Sequence, residues 1–209
     1  MPPSPQQRWW GPDFHITVGT CIHGQRSGLG FYRGRVAAAA LAGLAGLVGC
    51  SSSPPGLPLP TVAAVDLDRY LGTWYEIAVV PNRFQKQCVA DTQARYRLQG
   101  DGIEVFNRCR QSDGTVSEVT GVAQPVAGSA NAKLRVSFFR PFYGDCWVLA
   151  PPDDYRWVLV GEPSRSYGWV LSRTPQLAPA DLAAALARAE QLGYVAPALQ
   201  RTPQTQALP

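Results

Sequence analysis

The clearest alternation along the chain is "DTQARYRLQ", where Thr92, Ala94, Tyr96 and Leu98 fall on one side and Gln93, Arg95, Arg97 and Gln99 on the other. A period of two with one apolar side predicts a half-buried strand. "Gln99-Gly100-Asp101-Gly102" reads as a turn, and "IEVFNRCR" returns with Ile103, Val105 and Asn107 opposite Glu104, Arg108 and Arg110. The same punctuation by turn residues separates "TVSEVTGVAQPV", "AKLRVSFFR", "CWVLA", "YRWVLVG" and "WVLSR". With "TWYEIAVV" in front, the pattern predicts eight short strands. "PADLAAALARAEQLGY" then reads as a helix, with Pro179 in its first turn, an alanine-rich body and Gly193 to stop it. Its stripe of Leu182, Leu186, Ala189 and Leu192 needs an apolar surface to cover. The predicted fold is therefore all-β: an eight-stranded antiparallel up-and-down barrel with a C-terminal helix packed outside.

Strand order gives the opening stretch a structural role. In such a barrel the first and last strands are antiparallel neighbours, so Trp74 at the start of one lies beside Arg173 at the end of the other. A guanidinium over an indole contributes about 0.5–2 kcal/mol, and Gly72 lets the entering chain cross close beneath. Glu76 is expected to be a structural acid near the base of the barrel, paired with a cation or a backbone donor.

The first third of the chain is different. Arg33 and Arg35 precede the apolar run "VAAAALAGLAGLVGC", which is shorter than the roughly 20 residues that cross a bilayer. A positive flank, a short apolar core and small residues at the cut form a secretory signal. "Leu47-Val48-Gly49-Cys50" followed by "SSSPP" resembles a lipobox, which makes Cys50 the lipidated first residue. Residues 1–49 are then leader, longer than usual in front, with the true start expected inside it. Residues 50–65 are tether, 66–195 barrel and helix, and 196–209 a tail. The tether "SSSPPGLPLP" extends to about 30 Å at 3.1 Å per residue.

Removing the leader takes away both histidines, His15 and His23. Losing Arg8, Arg26, Arg33, Arg35 and Asp13 lowers the formal net charge from +4 to +1. A near-neutral domain has no electrostatic footprint for nucleic acid. Without histidine there is no Ser-His-Asp or Cys-His pair and no histidine metal ligand. No cofactor, metal or catalytic residue is expected.

The quoted stretches carry a resemblance. "GTWYEIA" resembles the G-x-W motif of lipocalins, "LVGEPSRSYGWVLSRTP" resembles the family's later motifs ending in arginine, and "VSFFRPFYGDCWVLA" is similar to bacterial and apolipoprotein D-like members. The resemblance spans roughly residues 66–195. It implies a carrier of small hydrophobic molecules, fatty acid or lysophospholipid, held at the outer membrane on the periplasmic side and existing as a monomer or weak dimer.

Alternation then assigns a cavity. Ala94, Tyr96, Leu98, Val105, Leu134, Val136, Phe138 and Trp169 are expected to face inward, and Trp157 with them because Arg156 faces out. Gly121 and Ala123 leave space. Arg140 and Tyr143, in the loop "FRPFYG", are placed at the open end, where an arginine suits a carboxylate or phosphate head group. Cys88 precedes strand two, beside strand three with Cys109, which favours a Cys88–Cys109 disulfide. Closing that loop contributes roughly 3 kcal/mol. Cys146 is left as an odd thiol beside the mouth. Two rival readings stay open: a thiol-dependent enzyme using Cys146, and a structural envelope lipoprotein. The anchor itself is testable: Cys50→Ser should release the domain into the soluble fraction, and continued membrane fractionation at high salt would show that Cys50 is not what holds it.

Overall fold

The computed structural model describes residues 58–195 and 198–208. Cys50, the leader and the first part of the tether lie outside them. The strands are β1 (Gly72–Val79), β2 (Cys88–Gln99), β3 (Gly102–Gln111), β4 (Val116–Pro125), β5 (Lys133–Phe139), β6 (Phe142–Ala150), β7 (Trp157–Gly161) and β8 (Gly168–Ser172). Each pairs antiparallel with the next, and β1 pairs with both β8 and β2 to close the barrel. A four-residue helix α1 (Leu67–Tyr70) leads into β1. Helix α2 (Pro179–Gln191) follows β8, and a two-residue strand β9 (Gln200–Arg201) pairs with β1.

Closure happens at two levels. Near the base β1 meets β2 directly, from Gly72 opposite Tyr96 to Tyr75 opposite Gln93. Higher up the C-terminal segment joins the seam: Ala78 and Val79 face Arg201 and Gln200. The Gln204 Nε2 donates to Glu76 O at 2.9 Å and to Thr92 O at 3.0 Å, so one side chain touches both strands. Asp91, in left-handed backbone at φ 57°, donates its N–H to Pro203 O. Its carboxylate accepts the N–H groups of Thr205 and Gln206 and pairs with Arg110 at 2.7 Å. Burial alone would raise the pKa of that acid. The bonds from Arg110, Thr205 and Gln206 outweigh it and hold the carboxyl below its usual range.

The base is sealed by aromatic packing. Trp74 and Tyr70 are fully buried, with ring centroids 5.6 Å apart, and Tyr96 packs edge-on against Tyr70 at 5.3 Å. The indole N–H donates to Tyr70 O at 2.8 Å. Below lies Arg173, its guanidinium carbon 3.6 Å from the Trp74 ring centroid. It also donates to Thr73 O at 3.0 Å and to Arg69 O. Gly72 at φ +96° brings the backbone within 3.4 Å (measured from an added Cβ) of this guanidinium, a conformation that a side chain would strain.

A second apolar layer lies outside. Leu182, Ala185, Ala189 and Leu192 recur at helical spacing on α2 and pack against Ile77, Ala78, Leu149, Leu159 and Val170. Ile77 and Ala78 both face this layer because β1 carries an irregularity between Glu76 and Ala78. Tyr194 lies so close over β7 that a Cβ on Gly161 would sit 1.9 Å from its hydroxyl. Arg156 ties the first turn of α2 to the β6–β7 connection through a two-pronged bond to Asp181.

Removing Arg173 tests the seal. Arg173→Ala should cost about 1–2 kcal/mol in urea denaturation while leaving ligand binding in place. Unchanged stability together with lost binding would make Arg173 a ligand contact instead.

Candidate ligand-binding site

Between the sealed base and the opposite end, the inward sides of the strands form one apolar cluster. Tyr96, Val105 and Leu134 are buried in it, and Ala94, Val136, Phe138, Cys146 and Trp169 pack against it while only half buried. This division matters physically. Partial exposure sets these inward side chains apart from those at the base, which are packed solid. Gly121 and Ala123, expected to leave space, do not: a Cβ on Gly121 would sit 2.5 Å from the Phe138 ring, which fills the room beside it, and Ala123 is fully buried.

The Cys88–Cys109 disulfide is formed, with Cα atoms 5.5 Å apart. It packs with Val119 and Phe138, so it also belongs to the inner wall. Two polar atoms on the same wall, Asn107 Oδ1 and Ser117 Oγ, are buried without a hydrogen-bond partner.

Toward the opening the lining becomes polar. A cleft of about 260 Å3 is bounded by Glu76 and Val79 of β1, Asn82, Gln85 and Lys86 of the following loop, Thr92 of β2, and Thr202. The Glu76 carboxylate accepts from Gln85 Nε2 at 2.7 Å and Thr202 Oγ1 at 2.6 Å. Gln85 Oε1 in turn accepts from Asn82 Nδ2 at 2.8 Å and Trp169 Nε1 at 2.9 Å. One network thus joins the first loop, β8 and the C-terminal segment. Trp169 continues it as a ladder of rings through Tyr167 at 6.3 Å to Phe84 at 5.7 Å. Glu76 therefore differs from the acid expected at the base. Its partners are an amide and a hydroxyl from the open half, and burial pushes its carboxyl above the ordinary value of 4.5 despite both bonds.

Three of the residues expected at the site, Trp157, Leu98 and Tyr143, stand elsewhere, while Arg140 keeps its expected place at the open end. Trp157 packs in the layer under α2, while its neighbours Val158 and Val160 face inward. Arg156 precedes the strand and reaches Asp154 and Asp181 from a turn, so it does not set the strand's alternation. Leu98 has the correct parity but lies beyond Tyr96, where β1 begins, and is 60 % exposed. Its partner Ile103 is buried in the inner cluster, but Leu98 lacks a flanking β1 residue to cover it. Tyr143 turns to the outer side, its ring 5.1 Å from the Arg135 guanidinium. Arg140 is exposed in the β5–β6 turn.

Cys146 is also displaced from the mouth. It pairs with Leu134 in mid-strand, and its thiol is pushed up to about 12, by burial first and by Asp145 second. A thiol so held is a poor nucleophile near neutral pH. Gln85 and Thr202 carried no signal in the sequence, since each belongs to a polar stretch without periodicity.

A barrel closed at one end by packed aromatics and open at the other through a polar rim is the architecture of a carrier for one small ligand. Residues 65–204 match the lipocalin-like domain family, and the chain belongs to the lipocalin family. It is 43 % identical to the outer membrane lipoprotein Blc of Escherichia coli K12 over 144 residues, covering 68 % of this chain and 80 % of Blc. It is 39 % identical to temperature-induced lipocalin-1 of Arabidopsis thaliana, over 72 % of this chain and 86 % of the relative. Bovine apolipoprotein D is 36 % identical, over 66 % and 79 %. Among solved structures, insecticyanin from the tobacco hornworm aligns with a TM-score of 0.60 at 19 % identity, covering 73 % of this chain and 89 % of that one. Lobster apocrustacyanin A1 gives 0.56 at 16 %, over 73 % and 93 %.

The raised Glu76 carboxyl has a pH signature. Because the folded state holds this proton more tightly than the unfolded chain, the stability it contributes is full below the ordinary value of 4.5. It is lost as pH rises through the higher folded value. Asp91, shifted the other way, acts below its ordinary range and does not overlap. Urea midpoints between about pH 4 and pH 8 should therefore fall more for the parent than for Glu76→Gln, which cannot ionise. Parallel curves for the two proteins would remove Glu76 as the source.

Proposed function

We propose that this lipocalin-family protein binds a fatty acid or lysophospholipid, with the acyl chain in the barrel and the polar head near the opening. Lipidated Cys50 anchors it to the periplasmic side of the outer membrane. The observation that carries the reading is the graded interior: a solid aromatic base beneath half-exposed Ala94, Val136, Phe138 and Trp169. Such a lining takes apolar chains by burial, without chemistry on them. The two unpartnered polar atoms at Asn107 and Ser117 leave room for a water or one polar group on an otherwise apolar wall. Kinship with an outer membrane lipoprotein supports the location. The lipobox-like "LVGC" supports the anchor.

The raised Cys146 thiol speaks against the thiol-enzyme reading. A purely structural lipoprotein would need the interior to be unfilled by any ligand, which binding measurements decide.

Each methylene moved from water into the barrel contributes roughly 0.8 kcal/mol. Affinity for fatty acids should rise with chain length and then level off where the cavity is full. Displacement of a bound fluorescent fatty acid reports it in the parent and in both variants. Trp169→Ala should weaken short chains, and Ala94→Phe should exclude long ones. Affinity that is flat across the series and indifferent to both substitutions would mean a solid barrel, and the structural reading would stand.

A further inference from the structure

The tip of the β5–β6 hairpin has a feature that binding inside the barrel does not use. Phe139 and Phe142 form its last cross-strand pair, on either side of Arg140 and Pro141. Their rings lie nearly parallel, at 9°, with centroids 6.2 Å apart, and the two residues are 61 % and 58 % exposed. Single exposed apolar side chains are ordinary, but two large aromatics stacked at the end of a ribbon form a knob. Arg140, exposed between them, places a cation at the same height.

Antiparallel order puts this tip at the open end, with the 80–87 and 162–167 connections. That rim adds the exposed cation Lys86. Its carboxylates are committed to their own turns. Glu162 accepts the N–H groups of Ser164, Ser166 and Tyr167, and Asp113 accepts from Thr115. The opposite end presents exposed Asp68, Asp101, Asp153 and Asp154 together with exposed Arg69, Arg97 and Arg156, the last paired with Asp154. The mouth is thus aromatic and cationic, whereas the base is of mixed charge.

We propose that the open rim docks on an anionic phospholipid bilayer, with Phe139 and Phe142 inserted at the boundary between head groups and acyl chains. Arg140 then lies against lipid phosphates. Aromatic rings and basic side chains are the residues that settle at this boundary. Docked this way, the barrel takes an acyl chain directly from the bilayer. That last clause rests on the ligand reading above, whereas the docking itself does not.

The test is photolabelling of the full chain mixed with phosphatidylcholine vesicles, with or without phosphatidylglycerol, that carry a lipid with a diazirine in its acyl chain. Adducts are mapped by mass spectrometry. Labelling should concentrate on residues 139–143 and rise several-fold with phosphatidylglycerol. It should fall at least fivefold in Phe139→Ser/Phe142→Ser, whose melting should match the parent because both side chains are exposed. Arg140→Glu, which leaves the rings in place, should lose the preference for phosphatidylglycerol. Labelling confined to the barrel interior would support ligand uptake while overturning docking. A tip that stays unlabelled because a second copy of the chain covers it overturns docking as well, as does tip labelling that neither variant changes. Failure of the fatty-acid titration with tip labelling intact would instead sink the ligand reading alone.

Discussion

The stacking of Arg173 on Trp74 is the contact from which the rest of the barrel follows. It joins the end of β8, the start of β1 and the carbonyls around α1 at one point. A buried indole needs a partner for its N–H and a covering for its outer face; Tyr70 O supplies the first and the guanidinium the second. Because the base is closed by these groups, the middle of the barrel is relieved of holding the strands together. Empty space inside a protein is normally destabilising. Here the strands above are held by their ladders and by the base, so inward side chains that are only partly buried are tolerated.

The open half is held by a different kind of interaction. Glu76 and Asp91 are buried acids, and burying a carboxyl without partners is costly. Each is satisfied by donors from segments distant in the chain: Gln85 and Thr202 for the first, Arg110, Thr205 and Gln206 for the second. The polar rim is therefore a piece of tertiary structure, since removing one segment strands the partners of another. Apolar packing below and hydrogen bonding above thus hold the two halves of the barrel in different ways, with the raised carboxyl of Glu76 in the upper one.

The sequence was legible where a strand has one wet side. "DTQARYRLQ" and "AKLRVSFFR" alternate because only one face is dry, and the eight strands, the outer helix and the Cys88–Cys109 pairing follow from them. Where both faces are dry the signal vanishes. In "WVLVG" all five residues are buried, because α2 covers the outer side, and nothing in the run says which residue faces inward. Trp157 was misplaced for that reason. Leu98 and Tyr143 failed differently: parity was readable, but the height at which the neighbouring strand begins, and the irregular pairing after Val136, were not. Glu76 was visible as an oddity in an apolar strand, yet its partners come from stretches with no period at all.

The late position of residues 200–206 in the chain also bears on how the barrel is made. These residues complete the upper seam between β1 and β2, elements synthesised more than a hundred residues earlier. A nascent chain emerging from its N-terminus holds the base, the hairpins and the outer helix before it holds the residues that complete the seam. In that interval the unpaired edge of β1 above Tyr75 is open to any other strand that reaches it.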